Sequence, residues 1–302
     1  MRSGERGSGH MGKKNRQYPW WNDKKTVPYL FILPNMVLFL VFMIVPLLMS
    51  FCYSFTRWNG LGSPVFIGLK NYTKLFTDSV FLQSVWNTFR FSLMTVPLLV
   101  VMALAFAIFL NQNLRFKGVY RTVLYLPSVV SNVAAGMIFI WLFNPQIGLI
   151  NYLLTDIGAS PVDWTNDVRY AIFMVVTATL WSRIGYNMVI YLAGLQSIPT
   201  TYYEAAIVDG ASKVQKLWYI TLPLLKSSHI FIFITAVIYS FRSFDLIYVM
   251  TKGGPLNSTK TLVVYIYDMA FGRNQYGVAS AASVVLLLIM MVFTVIRLRN
   301  QK

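Results

Sequence analysis

Polar side chains stand in three groups inside stretches that are otherwise apolar. Ser128 and Asn132 make one, Trp181, Ser182, Arg183, Tyr186 and Asn187 a second, and Ser240, Arg242, Ser243 and Asp245 a third. A charge held at membrane depth costs at least ~2.5–3.5 kcal/mol on insertion scales, so it faces a protein interior or a wet path. On helices, Ser128 and Asn132 share a face at i, i+4, as do Ser182 with Tyr186 and Arg183 with Asn187. Arg242 and Asp245, at i, i+3, are spaced to pair. Hydroxyls, amides and aromatic faces in this mixture suit a polyhydroxylated solute, with Trp181 or Tyr186 as a stacking platform. The plainer reading is that Ser and Asn only hold helices together. Catalytic chemistry has little support. All ten acids except Asp245 lie outside the apolar stretches, and no Gly-x-x-x-x-Gly-Lys-Ser/Thr loop is present to hold a nucleotide. Cys52 is the one cysteine, and the two histidines, His10 and His229, cannot complete a metal site with it.

These groups need spans to carry them. The chain has 302 residues, 56% hydrophobic and 12% charged, against about 25% charged in globular domains; its mean hydropathy is +0.56. Apolar segments near 29–53, 86–110, 121–142, 170–194, 227–249 and 276–297 each approach the ~20 residues that cross hydrocarbon. Met1–His10 reads as an added leader before a native start at Met11, and the basic, Trp-bearing residues up to 26 as a cytoplasmic approach to the first span. With the N-terminus inside, sixteen Lys and Arg fall on the cytoplasmic side. Seven fall outside: Arg57, Lys70, Lys74, Arg169, Lys252, Lys260 and Arg273. Arg90, Arg183 and Arg242 lie within spans. The bias places both termini in the cytoplasm around six spans. A net charge of +16 distributed this way is a topology signal, and no nucleic-acid stripe is formed.

Between the fourth and fifth spans lies the longest polar interruption on the cytoplasmic side. Thr201 to Glu204 has the spacing of a capping box. Gly210 stands where a helix would end in a left-handed residue. Ser212 can cap a second helix that must stop near Pro223. Within this loop Glu204, Ala205 and Ala206 are followed by Asp209-Gly210 and then by Ile220, Leu222 and Pro223. The pattern Glu-Ala-Ala, three residues, Gly, nine residues, Ile-x-Leu-Pro resembles the coupling loop of permease subunits of binding-protein-dependent ABC importers. Two further elements are similar to the carbohydrate-uptake branch: Gly68-Leu69-Lys70-Asn71-Tyr72 in the first outer loop and Gly253-Gly254-Pro255 after the fifth span. Residues 143–169 read as a short interfacial helix and turns.

The resemblance implies an all-α membrane protein with the type I ABC importer permease fold over 27–300, in a bacterial or archaeal plasma membrane. It implies a sugar or oligosaccharide as cargo. Its partners would be two ATP-binding subunits, a second permease and an extracytoplasmic sugar-binding protein, with ATP and Mg held by the ATP-binding subunits. It assigns the loop Glu204–Pro223 to the ATPase contact, and positions near Ser128, Asn132, Trp181, Ser182, Ser240 and Ser243 to the sugar. Arg183 departs from the small residue such a permease carries there. That leaves open a path with little direct binding, or a charged cargo such as a uronate or sugar phosphate. An ion-coupled secondary transporter would need repeated halves and more intramembrane acids, and a membrane enzyme acting on lipid-linked sugars would need an acid/base cluster.

Overall fold

The computed structural model describes residues 27–299, so the leader and the basic approach to the first span lie outside the described residues. The chain divides into two units at Met49/Ser50. The first consists of α1 (Val27–Phe39), a π-helical turn at Leu40–Ile44 and the start of α2 (Val45–Tyr53). The helix is continuous for 26 residues from Pro28 to Tyr53, about 39 Å at 1.5 Å per residue and enough to cross hydrocarbon with room for tilt. Pro46 offers no N–H to the carbonyl four residues back, which falls in the π turn, and the Val45 N–H reaches the Leu40 carbonyl instead.

The second unit opens with a short antiparallel pair, β1 (Thr56–Arg57) and β2 (Val65–Phe66), with Thr56 opposite Phe66. Next comes α3 (Lys70–Thr77). Buried Asn71 donates through Nδ2 to the Ser54 and Thr56 carbonyls, both at 2.8 Å, and the Tyr72 hydroxyl donates to Ser54 Oγ at 2.7 Å. The Gly68–Tyr72 element is therefore a clamp that holds the β pair to α3. Asp78 then caps α4 (Ser79–Leu110) by accepting from the Val80 N–H at 2.8 Å. That cap starts the helix seven residues ahead of the expected span at 86.

A connector leads to α5 (Lys117–Tyr125), a 3-10 turn at Leu126–Val129 and α6 (Asn132–Leu142), bent by 99° at the junction. Pro127 lies in the 3-10 turn, and Val130 is extended, with φ −69° and ψ 135°. Ser128 and Asn132 consequently sit on different helical pieces and share no face, contrary to the i, i+4 expectation. The short helix expected in 143–169 is α7 (Leu149–Asp156). Its Asn151 uses the whole amide: Nδ2 donates to the Pro145 and Val162 carbonyls, and Oδ1 accepts from the Val162 N–H and the Trp164 indole.

The core forms where α4 meets α8 (Ala171–Gln196). Ala103 and Ala107 are buried there against Met188, Tyr191 and Leu192, since small residues let two helix backbones approach. α9 (Thr200–Val208), α10 (Lys213–Lys216) and α11 (Leu222–Leu224) follow, then α12 (Lys226–Phe241), α13 (Asp245–Thr251), α14 (Leu262–Tyr267) and α15 (Tyr276–Arg299). The expected fifth span at 227–249 is thus two helices with a break at 242–244. That break falls between Arg242 and Asp245, so the two do not pair. Asp245 opens α13 and accepts from Asn132 Nδ2 at 3.3 Å. Among the described residues, three helices are long and apolar enough to cross a membrane, or up to five if each bent pair is one span. α8, the expected fourth span, has 26 residues, but its middle carries Arg183 and Asn187, which dilute its apolar run.

Gly185 of α8 stands against the backbone of α5: a Cβ there would overlap the Leu124 carbonyl and lie 2.8 Å from the Tyr125 Cα. Backbone atoms cannot rotate away as a side chain can. Gly185→Ala should destabilise the purified protein by about 1–3 kcal/mol, the usual cost of overpacking. Gly118→Ala, where nothing lies within 4 Å, should leave the thermal midpoint in detergent unchanged. Equal midpoints for the two variants would contradict the close α5–α8 packing.

Candidate functional site: a helical hairpin and a polar cavity

The hairpin from Thr200 to Leu224 is built from local signals. α9 starts one residue ahead of Thr201, after Pro199, whose φ of −58° and ψ of 134° hold it outside the helix. Thr201 is already in the first turn, so the expected Thr201–Glu204 capping box does not form. At the other end the Ala211 N–H bonds the Ala206 carbonyl at 2.8 Å and the Gly210 N–H the Ile207 carbonyl at 3.0 Å, with Gly210 at φ +73°. This is the paired closure that follows a left-handed glycine. Ser212 then caps α10 reciprocally. Its Oγ accepts from the Gln215 N–H at 3.3 Å, and its own N–H donates to Gln215 Oε1 at 2.8 Å. A π turn at Leu217–Thr221 carries the chain into α11, where Pro223 occupies the first turn. Tyr203 Oη lies 3.0 Å from Thr221 Oγ1 and ties α9 to that π turn.

The Glu-Ala-Ala residues divide by face. Ala206 is buried, whereas Glu204, Ala205, Asp209 and Gly210 are exposed. Ile220 and Leu222 are half-buried and Pro223 exposed. Beside them Ile207, Val208, Trp218 and Tyr219 are exposed, Val208 at 87%. Several exposed apolar side chains beside two carboxylates, Glu204 and Asp209, on a short and well-capped hairpin, have the character of a docking surface.

The second feature is a cavity of about 210 Å³ between α4, α8 and α12, lined by Leu99, Arg183, Tyr186, Asn187, Thr235 and Tyr239. The Arg183 guanidinium carbon lies 3.6 Å from the centre of the Tyr239 ring, a cation–π contact. Its Nε is buried and, among the described residues, has no hydrogen-bond partner. Asn187 Nδ2 donates to the Arg183 carbonyl at 2.9 Å. The cavity therefore offers guanidinium, phenol and hydroxyl groups from two of these helices, α8 and α12.

Of the sequence-expected path residues, Arg183 and Tyr186 meet here. The others lie elsewhere. Trp181 packs on Phe139 with ring centres 5.6 Å apart, in the core. Ser182 donates to the Ala178 carbonyl and Ser128 to that of Tyr125. Ser240, fully buried, has its Oγ 2.8 Å from Ser92 Oγ and from the Val237 carbonyl, bridging α12 to α4. Ser243 is buried in the α12–α13 break. Asn132 reaches Asp245. Tyr239 and Thr235 were not expected from the sequence. Their spacing of four on α12 puts them on one face, but only the packing of α12 against α8 turns that face toward Arg183.

Comparison with known proteins follows the same lines. Residues 78–302 match the family described as "Binding-protein-dependent transport system inner membrane component". The chain is 36% identical over 286 residues to the arabinooligosaccharides transport system permease protein AraP of Bacillus subtilis, covering 92% of this chain and 91% of that protein. It is 35% identical over 272 residues to the trehalose/maltose transport system permease protein MalF of Thermococcus litoralis, covering 90% and 92%. A chain of a bacterial alginate ABC transporter, solved in complex with an alginate pentasaccharide-bound periplasmic protein, superposes with a TM-score of 0.79 at 24% identity, covering 92% of this chain and 95% of that one. The fold is that of type I ABC importer permeases, and the chain belongs to the family of inner-membrane components of binding-protein-dependent transport systems.

Proposed function

We propose that this chain is one permease of an ABC importer for a sugar or oligosaccharide. It would form half of the transmembrane path and hold no nucleotide itself. Two ATP-binding subunits would bind ATP and Mg, a second permease would complete the path, and an extracytoplasmic binding protein would deliver the cargo. In this reading α8 is the fourth of six spans, both termini are cytoplasmic, and the α9–α10 hairpin meets the ATPase. The observation that carries the reading is that hairpin: a Glu-Ala-Ala helix closed by a left-handed glycine and a reciprocal serine cap, with Glu204 and several apolar side chains exposed. The names of the relatives support the cargo class, two of them being permeases for arabinooligosaccharides and for trehalose and maltose.

A surface that transmits force must hold its shape. The caps supply that stiffness, and Glu204 supplies a charge-assisted contact that strengthens when water is excluded. At Gly210 nothing lies within 4 Å of an added Cβ, so a substitution there acts through backbone strain alone. A left-handed L-residue costs about 1–2 kcal/mol, and more when it is β-branched. In reconstituted vesicles, Gly210→Val and Glu204→Lys should each abolish most of the cargo-stimulated ATPase activity, Glu204→Lys by reversing the charge at the contact. Wild-type stimulation and transport in both variants would reduce the hairpin to a connector.

The cavity is assigned to the cargo path. Arg183, Tyr186 and Tyr239 would present hydrogen bonds and an aromatic face to sugar hydroxyls. Ser240, Ser182 and Trp181 would act by setting the helix spacing around them. Tyr239→Ala and Arg183→Ala should lower the transport rate about tenfold or more, on the scale of a lost charged hydrogen bond, while the ATPase still co-purifies. Unaltered transport in both would place cargo binding on the partner permease.

A further inference from the structure

A larger cavity, about 500 Å³, opens at the other end of α4 from the α9–α10 hairpin, between the β1–β2 pair, α3 and the first turn of α15. Arg57, Lys70 and Lys74 line it with Trp58, Asn274 and Gln275, and none of its lining residues is acidic. The charge distribution makes this cavity unusual. Of the seven basic residues assigned to the outer side, Arg169 is bonded to Asp167 at 2.9 Å and Lys260 to Asp268 at 2.6 Å. The Arg169 guanidinium also holds the Asp167 carboxyl below the usual carboxylate range. Three of the remaining five converge on this one cavity. Lys74 Nζ donates to Gln275 Oε1 at 2.8 Å. Among the described residues, the side chains of Arg57 and Lys70 have no hydrogen-bond or ion-pair partner, and all three cations are exposed.

Like charges on one wall repel, and a concave wall focuses the resulting field. The geometry is also fixed. Asn71 locks the β pair onto α3, and Gly277 lets α15 approach the Thr56 carbonyl closely. Amides of Asn59, Asn274 and Gln275 line the same cavity, and Leu61 and Val65 stand exposed in the lining. Basic, amide and scattered apolar groups together match a protein surface better than a lipid headgroup with its tails.

We infer that this cavity is a docking site on this chain for acidic side chains of the extracytoplasmic binding protein. The inference rests on the importer reading above and adds the chemistry of the contact: carboxylates inserted among Arg57, Lys70 and Lys74. The test uses the complete transporter in phosphatidylcholine vesicles, with its sugar-loaded binding protein added at increasing concentration and ATP hydrolysis as the readout. Arg57→Glu with Lys70→Glu should raise the half-saturating concentration at least about tenfold and flatten its dependence on salt. Arg57→Lys with Lys70→Arg should keep the wild-type value, and co-purification of the ATPase should report intact assembly in each. An unchanged half-saturating concentration in the double reversal, with the wild type stimulated, overturns the docking site and leaves the importer reading standing. A wild type that its binding protein does not stimulate overturns both. A rate change caused by phosphatidylglycerol without binding protein, present in the wild type and lost in the double reversal, assigns the cavity to a lipid headgroup and likewise overturns the docking site.

Discussion

Hydrocarbon cannot hydrogen-bond, so a chain that crosses it must satisfy its own backbone, and irregular backbone is tolerated only where protein or water surrounds it. The second unit follows this constraint. Two of its breaks inside apolar sequence, at 130–131 and at 242–244, are brought together: Asn132 opens α6, Asp245 opens α13, and the two side chains meet at 3.3 Å. Ser243, in the second break, is buried, and its carbonyl accepts from Thr261 Oγ1. At Ser243 a side chain from another part of the chain takes up a carbonyl that the interrupted helix leaves free.

The same constraint explains how the helices around Arg183 are held. Hydroxyls that cannot reach water bond back to their own helices, as Ser182, Thr179 and Thr88 do, or across to a neighbour, as Ser240 does to Ser92. The Ser240–Ser92 bond joins α12 to α4, and the small residues of α4 let α8 pack closely beside it. Arg183 can hold a charge there because Tyr239 offers its ring face. The α9–α10 hairpin is stiff for a different reason. Its closures are local, a left-handed glycine and a serine cap, and do not depend on distant packing.

That difference decided what the sequence revealed. Gly210 and Ser212 act through neighbours within a few residues, and their roles were legible as written. Asn71 was legible as part of the Gly68–Tyr72 element but not as the clamp between α3 and the β pair, because its partners lie fifteen and seventeen residues away. The pairings expected at i, i+3 and i, i+4 for Arg242 with Asp245 and Ser128 with Asn132 assumed unbroken helices. Pro127 ended one, and the other stopped at Phe241 without a proline or glycine to announce it. The Thr201 cap was misplaced, since the helix begins at Thr200, directly after Pro199. Tyr239 beside Arg183 is a contact between α8 and α12 and leaves no trace in either segment alone.

If the hairpin meets a separate ATPase, as proposed, that contact is measurable directly. A photoreactive phenylalanine analogue at Val208, the most exposed apolar side chain of α9, should cross-link on illumination to the ATP-binding subunit in membranes holding the intact transporter. The same analogue at Leu61, in the β1–β2 turn, should not. Cross-links from Val208 to lipid alone, or equal cross-linking to the ATPase from both positions, would contradict the account.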